Sequence, residues 1–313
     1  MKEEVAILLT TYNGEKYLSD QIESIMNQTF QDFVCLVHDD GSSDHTMDIL
    51  QEKKRIYGEK IVILDYPRQG TPRDNFLSLI EYADTPYIMF ADQDDFWLPE
   101  KIQKTLDMMK RGEKQSGYSA VAVYSNVKVV DEKLRVIDES FYSYTRKNPM
   151  KTALSDLIMG NVALGCTMMI NRELYRRYTK SELTTIPNHD WLFMLLGKSC
   201  GSVYYMQESL MLYRQHSKNM VGALEGKGLF DKIKDVVGLK ALQEKLKEEK
   251  HTIQRQRKRA QELLNFDLIE NSEYEFLSEL KDIGSKRKWK RIRFYVSWRL
   301  YTKHNMLLVL IAC

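Results

Sequence analysis

Residues Pro86-Tyr87-Ile88-Met89-Phe90-Ala91-Asp92-Gln93-Asp94-Asp95 run from an unbroken apolar stretch straight into three carboxylates within four positions. A short apolar run of this kind reads as a buried strand. Adjacent like charges repel and are costly to hold beside a low-dielectric core. A buried strand ending this way needs a positive partner at its carboxyl end. A divalent metal carrying a diphosphate meets that need, since Mg²⁺ and Mn²⁺ prefer oxygen ligands and bind through one or two carboxylates plus substrate phosphates. The alternative is an acidic surface turn that caps the helix beginning near Leu98-Pro99.

The same pattern recurs on both sides. Val5–Leu9 leads into Thr10-Thr11-Tyr12-Asn13-Gly14, and Phe33–Val37 leads towards Asp39-Asp40-Gly41-Ser42-Ser43-Asp44. Ile61–Leu64 and Val121–Tyr124 are further short apolar runs. Between the runs, Tyr17–Gln28, Ser43–Tyr57, Asp74–Ala83 and Glu100–Lys110 read as helices; in the first, Leu18, Ile22, Ile25 and Met26 recur at helical spacing. Strand–helix alternation predicts βαβ units, right-handed crossovers and an α/β fold whose mostly parallel sheet is covered by helices on both faces. Ligands of such sheets sit beyond the carboxyl ends of the strands, where the three polar clusters fall.

Farther along, Val127–Val130 and Val136–Ile137 flank Asp131-Glu132 as a hairpin. Trp191–Leu196 reads as a helix and Ser202–Met206 as a strand. From about residue 226 the chain is helical and charged, with helices expected over Gly238–Leu264, Ser272–Lys281 and Ser285–Tyr301. Two parts follow: an α/β domain over 1–225 and a basic helical region over 226–313. A chain of 313 residues that is 43% hydrophobic and 29% charged can bury a sizeable core. Its formal net charge of +2 hides an asymmetry, since residues 225–313 hold 20 Lys and Arg against 13 Asp and Glu. The acidic α/β half argues against a nucleic-acid partner. Trp289, Phe294, Tyr295, Trp298 and Tyr301 are interleaved with Lys and Arg. That mixture suits an anionic membrane surface, or a helical face packed on its own domain or on a second copy in a homo-oligomer. No run approaches the ~18–20 apolar residues of a spanning helix, and the N-terminus lacks the pattern of a secretory signal. Cys35, Cys166, Cys200 and Cys313 form no CxxC pair, which argues against structural zinc. Cys35 and Cys166 lie in apolar runs and read as buried thiols. A cytoplasmic protein is expected, at most peripheral on the inner face of the plasma membrane.

Several stretches carry chemistry. Asp39-Asp40-Gly41-Ser42 follows a strand and opens a helix; its carboxylates suit a base N–H or a ribose hydroxyl, or simple helix capping. Arg68 and Arg73 flank the turn Gln69-Gly70-Thr71-Pro72, where they meet a diphosphate or are merely solvated. Asp190, in Asn188-His189-Asp190-Trp191, is a general base or an N-cap. Tyr213-Arg214-Gln215-His216-Ser217-Lys218-Asn219 offers a phosphate or metal ligand, or is an ordinary polar loop. No GxGxxG follows the first strand, which argues against a dinucleotide-dependent oxidoreductase.

Taken in order, the 10–14, 39–44 and 92–95 clusters, Gly70 with Arg73 and Asn75, Trp97 with Pro99, Gly165-Cys166-Thr167-Met168-Met169, His189-Asp190-Trp191 and Tyr213-Arg214-Gln215-His216 resemble the family 2 inverting glycosyltransferases of GT-A fold. The narrower resemblance, over about residues 4–222, is to bacterial rhamnosyltransferases of cell-wall or capsular polysaccharide synthesis. It implies a Rossmann-like GT-A domain with a C-terminal helical appendage. It also implies transfer of L-rhamnose from dTDP-β-L-rhamnose to a glycan or lipid-linked glycan hydroxyl. A UDP-hexose enzyme of the same fold is the alternative, and a nucleotide-sugar- or glycan-binding protein without turnover is another. By resemblance, Thr10, Thr11, Tyr12, Asn13, Asp39, Asp40, Gly70, Arg73, Asn75, Asp92, Gln93 and Arg214 line the nucleotide-sugar pocket. Asp94 and Asp92, with His216, hold Mg²⁺ or Mn²⁺. Asp190 is the catalytic base, and Gly165, Cys166, Thr167, His189 and Trp191 border the acceptor.

Overall fold

The computed structural model describes residues 3–117, 119–178, 183–216, 239–266, 271–301 and 306–312. Cys313, residues 217–219 of the late loop, the helix start at Gly238 and the expected domain boundary near 225 lie outside them.

Strands β1 (Val5–Thr11), β2 (Phe33–Asp39), β3 (Ile61–Ile63) and β4 (Tyr87–Ala91) form a parallel half-sheet in the order β3-β2-β1-β4. Helices α1 (Leu18–Met26), α2 (Thr46–Tyr57) and α3 (Pro72–Ile80) connect them. Every residue of β4 is buried, as an unbroken apolar run in a sheet covered on both faces requires. Thr71 caps α3 by accepting the Asp74 amide at 3.1 Å, and Pro72 occupies the first turn, where its missing N–H costs nothing.

The second half is mixed. It contains β5 (Phe96–Trp97), α4 (Lys101–Ser116), β6 (Ala120–Val130), β7 (Val136–Asp138), α5 (Phe141–Thr145), α6 (Leu154–Met159), β8 (Met169–Asn171), α7 (Arg172–Arg176), α8 (His189–Cys200) and β9 (Gly201–Arg214). The short β8 lies antiparallel between β4 and β6, β9 runs parallel to β6, and β5 closes the order against β9. The α/β reading holds, with a Rossmann-like core, but the sheet is purely parallel only in its first half; in the second, the parallel β6–β9 pair stands among antiparallel ones. The expected hairpin appears as β7 against the end of β6.

Two differences from the sequence reading shape the site. The runs Val121–Tyr124 and Val127–Val130 are one strand, β6, whose pairing to β9 shifts register around Ser125–Lys128. Strand β9 continues to Arg214, eight residues past the expected end at Met206. The exposed Gln207 and Glu208 interrupt its apolar pattern, yet Leu212 and Met211 pair with Phe96 and Trp97. That pairing lays residues 213–216 beside the carboxylate run.

The C-terminal region comprises α9 (Leu239–Leu263), α10 (Asn271–Asp282), α11 (Lys288–Ser297) and α12 (Met306–Ala312). Leu263, Phe276, Leu277, Leu280, Ile283, Phe294 and Tyr295 are buried within it. Among the described residues, no helix is long and apolar enough to cross a membrane. Cys35, Cys166 and Cys200 are buried.

Asn171, paired with Tyr87 of β4 in the strand register, anchors β8 to its neighbours in the second half. Its Oδ1 accepts the amides of Val121 (2.9 Å) and Leu174 (3.1 Å), and its Nδ2 donates to Glu113 Oε1 (2.8 Å) and Ser119 O (3.0 Å). Asn171→Ala strands two buried amides and removes a helix cap, so it is expected to cost about 2–4 kcal/mol. Urea unfolding should show a lower midpoint at unchanged slope; an unchanged midpoint would contradict this structural role.

Candidate active site

The loops after β1 and β2 are tied to each other. Thr11 donates to Asp39 Oδ1 at 2.7 Å, and Asp39 also accepts the amides of Gly41 (3.1 Å) and Ser42 (2.7 Å) and the Ser42 hydroxyl (2.6 Å). Asn13 sits in the left-handed region (φ 48°). It donates its amide to Ser42 Oγ and accepts the Ser43 amide, both at 2.8 Å. Thr10 pairs with His38 in the β1–β2 register. Gln93 pairs with Tyr12 as a strand would, accepting its amide at 2.9 Å and donating to its carbonyl at 3.0 Å. Gly14 makes room for this, because a Cβ there would lie 2.3 Å from Gln93 Oε1. The Tyr12 ring is 47% exposed, with the Arg68 guanidinium 5.1 Å from its centroid. An open aromatic face beside a cation suits a planar ligand.

Asp40 pins the loop after β3, accepting the amides of Gln69 (2.6 Å) and Gly70 (3.0 Å) with Arg68 Nε at 3.5 Å. Two expected nucleotide contacts turn elsewhere. Asn75 is buried and takes His38 Nδ1 at 2.7 Å, because a buried imidazole needs a hydrogen-bond partner. Arg73 donates to Asp74 and to the Leu183 carbonyl, both at 2.8 Å. Of the two arginines, Arg68 is the one that stays beside Tyr12.

Beyond β4 the carboxylates divide. Asp92, Asp95 and Cys166 bring their ligand atoms within 4.8 Å of one another, the one compact group of potential metal ligands among the described residues. Asp95 is fully buried; its Oδ1 accepts the Arg214 amide at 3.3 Å, and its Oδ2 has no hydrogen-bond partner. Burial, reinforced by Asp94 and Asp190, pushes Asp92 up to about 7. Burial and the neighbouring Asp94 and Asp92 raise Asp95 well above the usual carboxylate range. The fully buried Lys101 is the nearby counter-charge, itself lowered to about 8 by burial.

Asp94 instead meets His216, whose Nε2 lies 2.7 Å from its Oδ2. Arg214 locks this pair from behind. It donates Nε to the Asp94 carbonyl (2.9 Å), Nη1 to the Glu132 carbonyl (2.6 Å) and Nη2 to Asp20 (3.3 Å), with its guanidinium 4.4 Å from the Tyr17 centroid. The expected set Asp92, Asp94 and His216 is therefore not one cluster: the turn into β5 sends Asp95 inward beside Asp92, and His216 sits on Asp94. The residues still fit a hard divalent cation. The site is short of positive charge, a buried Asp95 oxygen is orphaned, and the donors are carboxylates. Burial keeps the Cys166 thiol well above its ordinary range, so it stays protonated and is a poor ligand for such an ion.

Asp190 lies in the first turn of α8, and Asn188 makes no side-chain cap. Its carboxylate accepts the Trp191 amide at 2.6 Å, and that amide, the Gly165 amide and the Asn161 side chain all pull its pKa down. Burial nevertheless lifts it to about 6, a value suited to a base working near neutrality. His189 points the other way, packed on Phe76 (4.2 Å) and Phe90 (4.7 Å). Burial and Arg73 lower it to about 3, so it is neutral. A Cβ at Gly165 would lie 2.4 Å from His189 Nε2. The expected acceptor border is thus mostly interior support. Gly165 seats His189 and Asp190, Cys166 underlies the carboxylates, and the buried Thr167 donates to the Leu164 carbonyl at 2.7 Å. Trp191 donates Nε1 to the Leu157 carbonyl at 2.7 Å. Lys101 and Asn161 are not among the expected site residues: Lys101 lies close in sequence to Asp95, but its burial at the start of α4 turns it into the site, and Asn161 is brought here only by the fold.

Residues 6–179 match the family described as Glycosyl transferase family 2. The dTDP-rhamnosyl transferase RfbG of Shigella flexneri is 30% identical, over 69% of this chain and 74% of its own length. The Escherichia coli UDP-Glc:alpha-D-GlcNAc-diphosphoundecaprenol beta-1,3-glucosyltransferase WfgD is 25% identical, over 64% of this chain and 72% of its own. The crystal structure of S. aureus TarS 1-349 in complex with UDP shares the fold, with a TM-score of 0.58 over 99% of this chain and 86% of that one, at 17% identity. The family match spans more than half of the chain and runs through the carboxylate cluster: the protein is a glycosyltransferase of family 2, with the GT-A fold.

Proposed function

We propose that this glycosyltransferase is an inverting, metal-dependent enzyme that moves a sugar from a nucleoside diphosphate to a glycan hydroxyl in bacterial surface-polysaccharide synthesis. The observation that carries the reading is the placement of Asp190, a half-buried carboxylate near pKa 6, within electrostatic reach of Asp92 in the carboxylate cluster at the end of β4. A UDP-hexose donor is the better supported choice, from the likeness to WfgD and to UDP-bound TarS. dTDP-L-rhamnose is the second reading, favoured by the 30% identity to RfbG.

In this mechanism the base of the donor lies against Tyr12 and near Asp39. Asp190 takes the proton of the acceptor hydroxyl. The freed oxygen bonds to the anomeric carbon as the bond to the diphosphate breaks, and the electron pair leaves with the diphosphate. Asp92 and Asp94 would hold Mg²⁺ or Mn²⁺, which offsets the negative charge of that leaving group. Arg214 and His216 keep Asp94 in place. The exposed Trp289 and Val296 of α11, among Lys288, Lys290 and Arg293, suit the anionic inner surface of the plasma membrane.

A thermal-shift and turnover screen of UDP-glucose, UDP-galactose, UDP-GlcNAc, dTDP-rhamnose and GDP-mannose, with Mn²⁺ or with chelator, tests the function. One donor should stabilise the protein only with metal, and Asp94→Ala should lose that stabilisation; no response to any donor would sink the reading. Asp190→Asn should lower turnover by about 10²–10⁴-fold at unchanged donor affinity. In the wild type, the base is a carboxylate above its pKa, so turnover should fall as pH drops through about 6; a flat profile there would remove Asp190 from the proton transfer. Anionic vesicles at low salt should co-sediment the protein and Trp289→Ala should weaken this; equal recovery with neutral vesicles would count against the charge-based contact.

A further inference from the structure

Arg259 of α9 is only 6% exposed, although a buried cation is costly unless it is paired or hydrogen-bonded. Its guanidinium lies 4.0 Å from the Trp191 ring centroid. Nη1 donates to the Ile158 carbonyl at 3.0 Å and Nη2 reaches the Thr185 carbonyl at 3.5 Å. Glu262, one turn farther along α9 and 7% exposed, accepts from Thr184 Oγ1 (2.8 Å), the Thr185 amide (3.2 Å) and Thr185 Oγ1 (2.5 Å). Two adjacent side chains of the C-terminal region thus hold three segments around the catalytic helix: the end of α6, the strand of chain entering α8, and Trp191 itself. Trp191 in turn donates its amide to Asp190 and its indole N–H to Leu157. Gln256, on the same face of α9, is also buried and contacts Met159. Nothing in the local packing of α10–α12 requires Arg259 to face α8, since their own apolar core lies among Phe276, Leu280 and Phe294.

We infer that Arg259 and Glu262 are positioning residues for the base: a brace from the C-terminal helices that sets the start of α8, and with it the Asp190 carboxylate, against the acceptor hydroxyl. The inference rests on the reading of Asp190 as the base. It makes the C-terminal region a working part of the transferase. A planar guanidinium stacks on an indole and donates in two directions at once, which a lysine ammonium cannot reproduce. A misplacement of the base by about 1 Å is enough to cost on the order of 100-fold in rate.

The test compares Arg259→Met, Arg259→Lys, Glu262→Gln and Asp190→Asn in the full chain, with the donor that the screen identifies. Arg259→Met and Glu262→Gln should lower kcat by about 10–100-fold while donor affinity and donor KM stay unchanged. Arg259→Lys should recover only part of the loss. Combined with Asp190→Asn, Arg259→Met should add little, since the brace acts through a base already removed. Wild-type kcat in Glu262→Gln, with Asp190→Asn inactive, would overturn the brace and leave the base intact; this arm stands even where Arg259→Met fails to fold. Full turnover in Asp190→Asn would instead mean that the reading of the base had failed. A fall in donor affinity parallel to kcat, or full additivity with Asp190→Asn, would show a general structural role and overturn the proposal.

Discussion

The structure depends on the concentration of negative charge at the carboxyl end of β4. Asp92, Asp94, Asp95 and Asp190 crowd one region, where burial, with mutual repulsion at Asp92 and Asp95, raises the pKa values of Asp92, Asp95 and Asp190. Such an arrangement is destabilising unless the fold supplies compensation. Lys101, buried beside Asp95, and Arg214 with His216, held against Asp94, are that compensation within the chain. In the proposed function, a divalent cation would supply the remaining part. Under that proposal the charge imbalance is a binding device that a positively charged ligand would relieve.

Much of the second half of the sheet serves to bring Arg214 and His216 in. β5 is only two residues long, yet its antiparallel pairing with the far end of β9 joins positions over a hundred residues apart. From there Arg214 reaches the backbone of the Asp94 turn, the Glu132 turn after β6 and Asp20 on α1. The guanidinium fork is what allows one side chain to tie three elements. The parallel half does simpler work: it stacks the loops of β1 and β2 beside the carboxylates, tied through Thr11, Asn13 and Gln93.

Several expectations changed because a functional-looking residue was consumed by structure. Asn75 stands in a recognisable motif, but a buried His38 opposite it takes its oxygen. Arg73 follows Arg68 by five positions, but the start of α3 turns it towards Leu183. Cys166 and Thr167 sit in a tight turn whose side chains face inward. In each case the residue type was legible and its direction was not, because direction depends on the phase of a helix or turn against distant chain.

By itself, the sequence determined the alternating architecture of the first half, the carboxylate run at the end of β4, the candidate base at the start of α8 and the basic character of the tail. These are local: apolar period, turn residues and charge are written within a few positions of one another. Only the tertiary structure decided that Asp95 rather than Asp94 faces Cys166, that His216 lies on Asp94, that Lys101 and Asn161 belong to the site, and that Arg259 packs on Trp191. Apart from Lys101, which follows Asp95 closely, those relations join segments tens to over a hundred residues apart through an antiparallel strand pair and a helix face. No local periodicity records such pairings, because they are selected by which surfaces can be buried together once the chain has closed on itself.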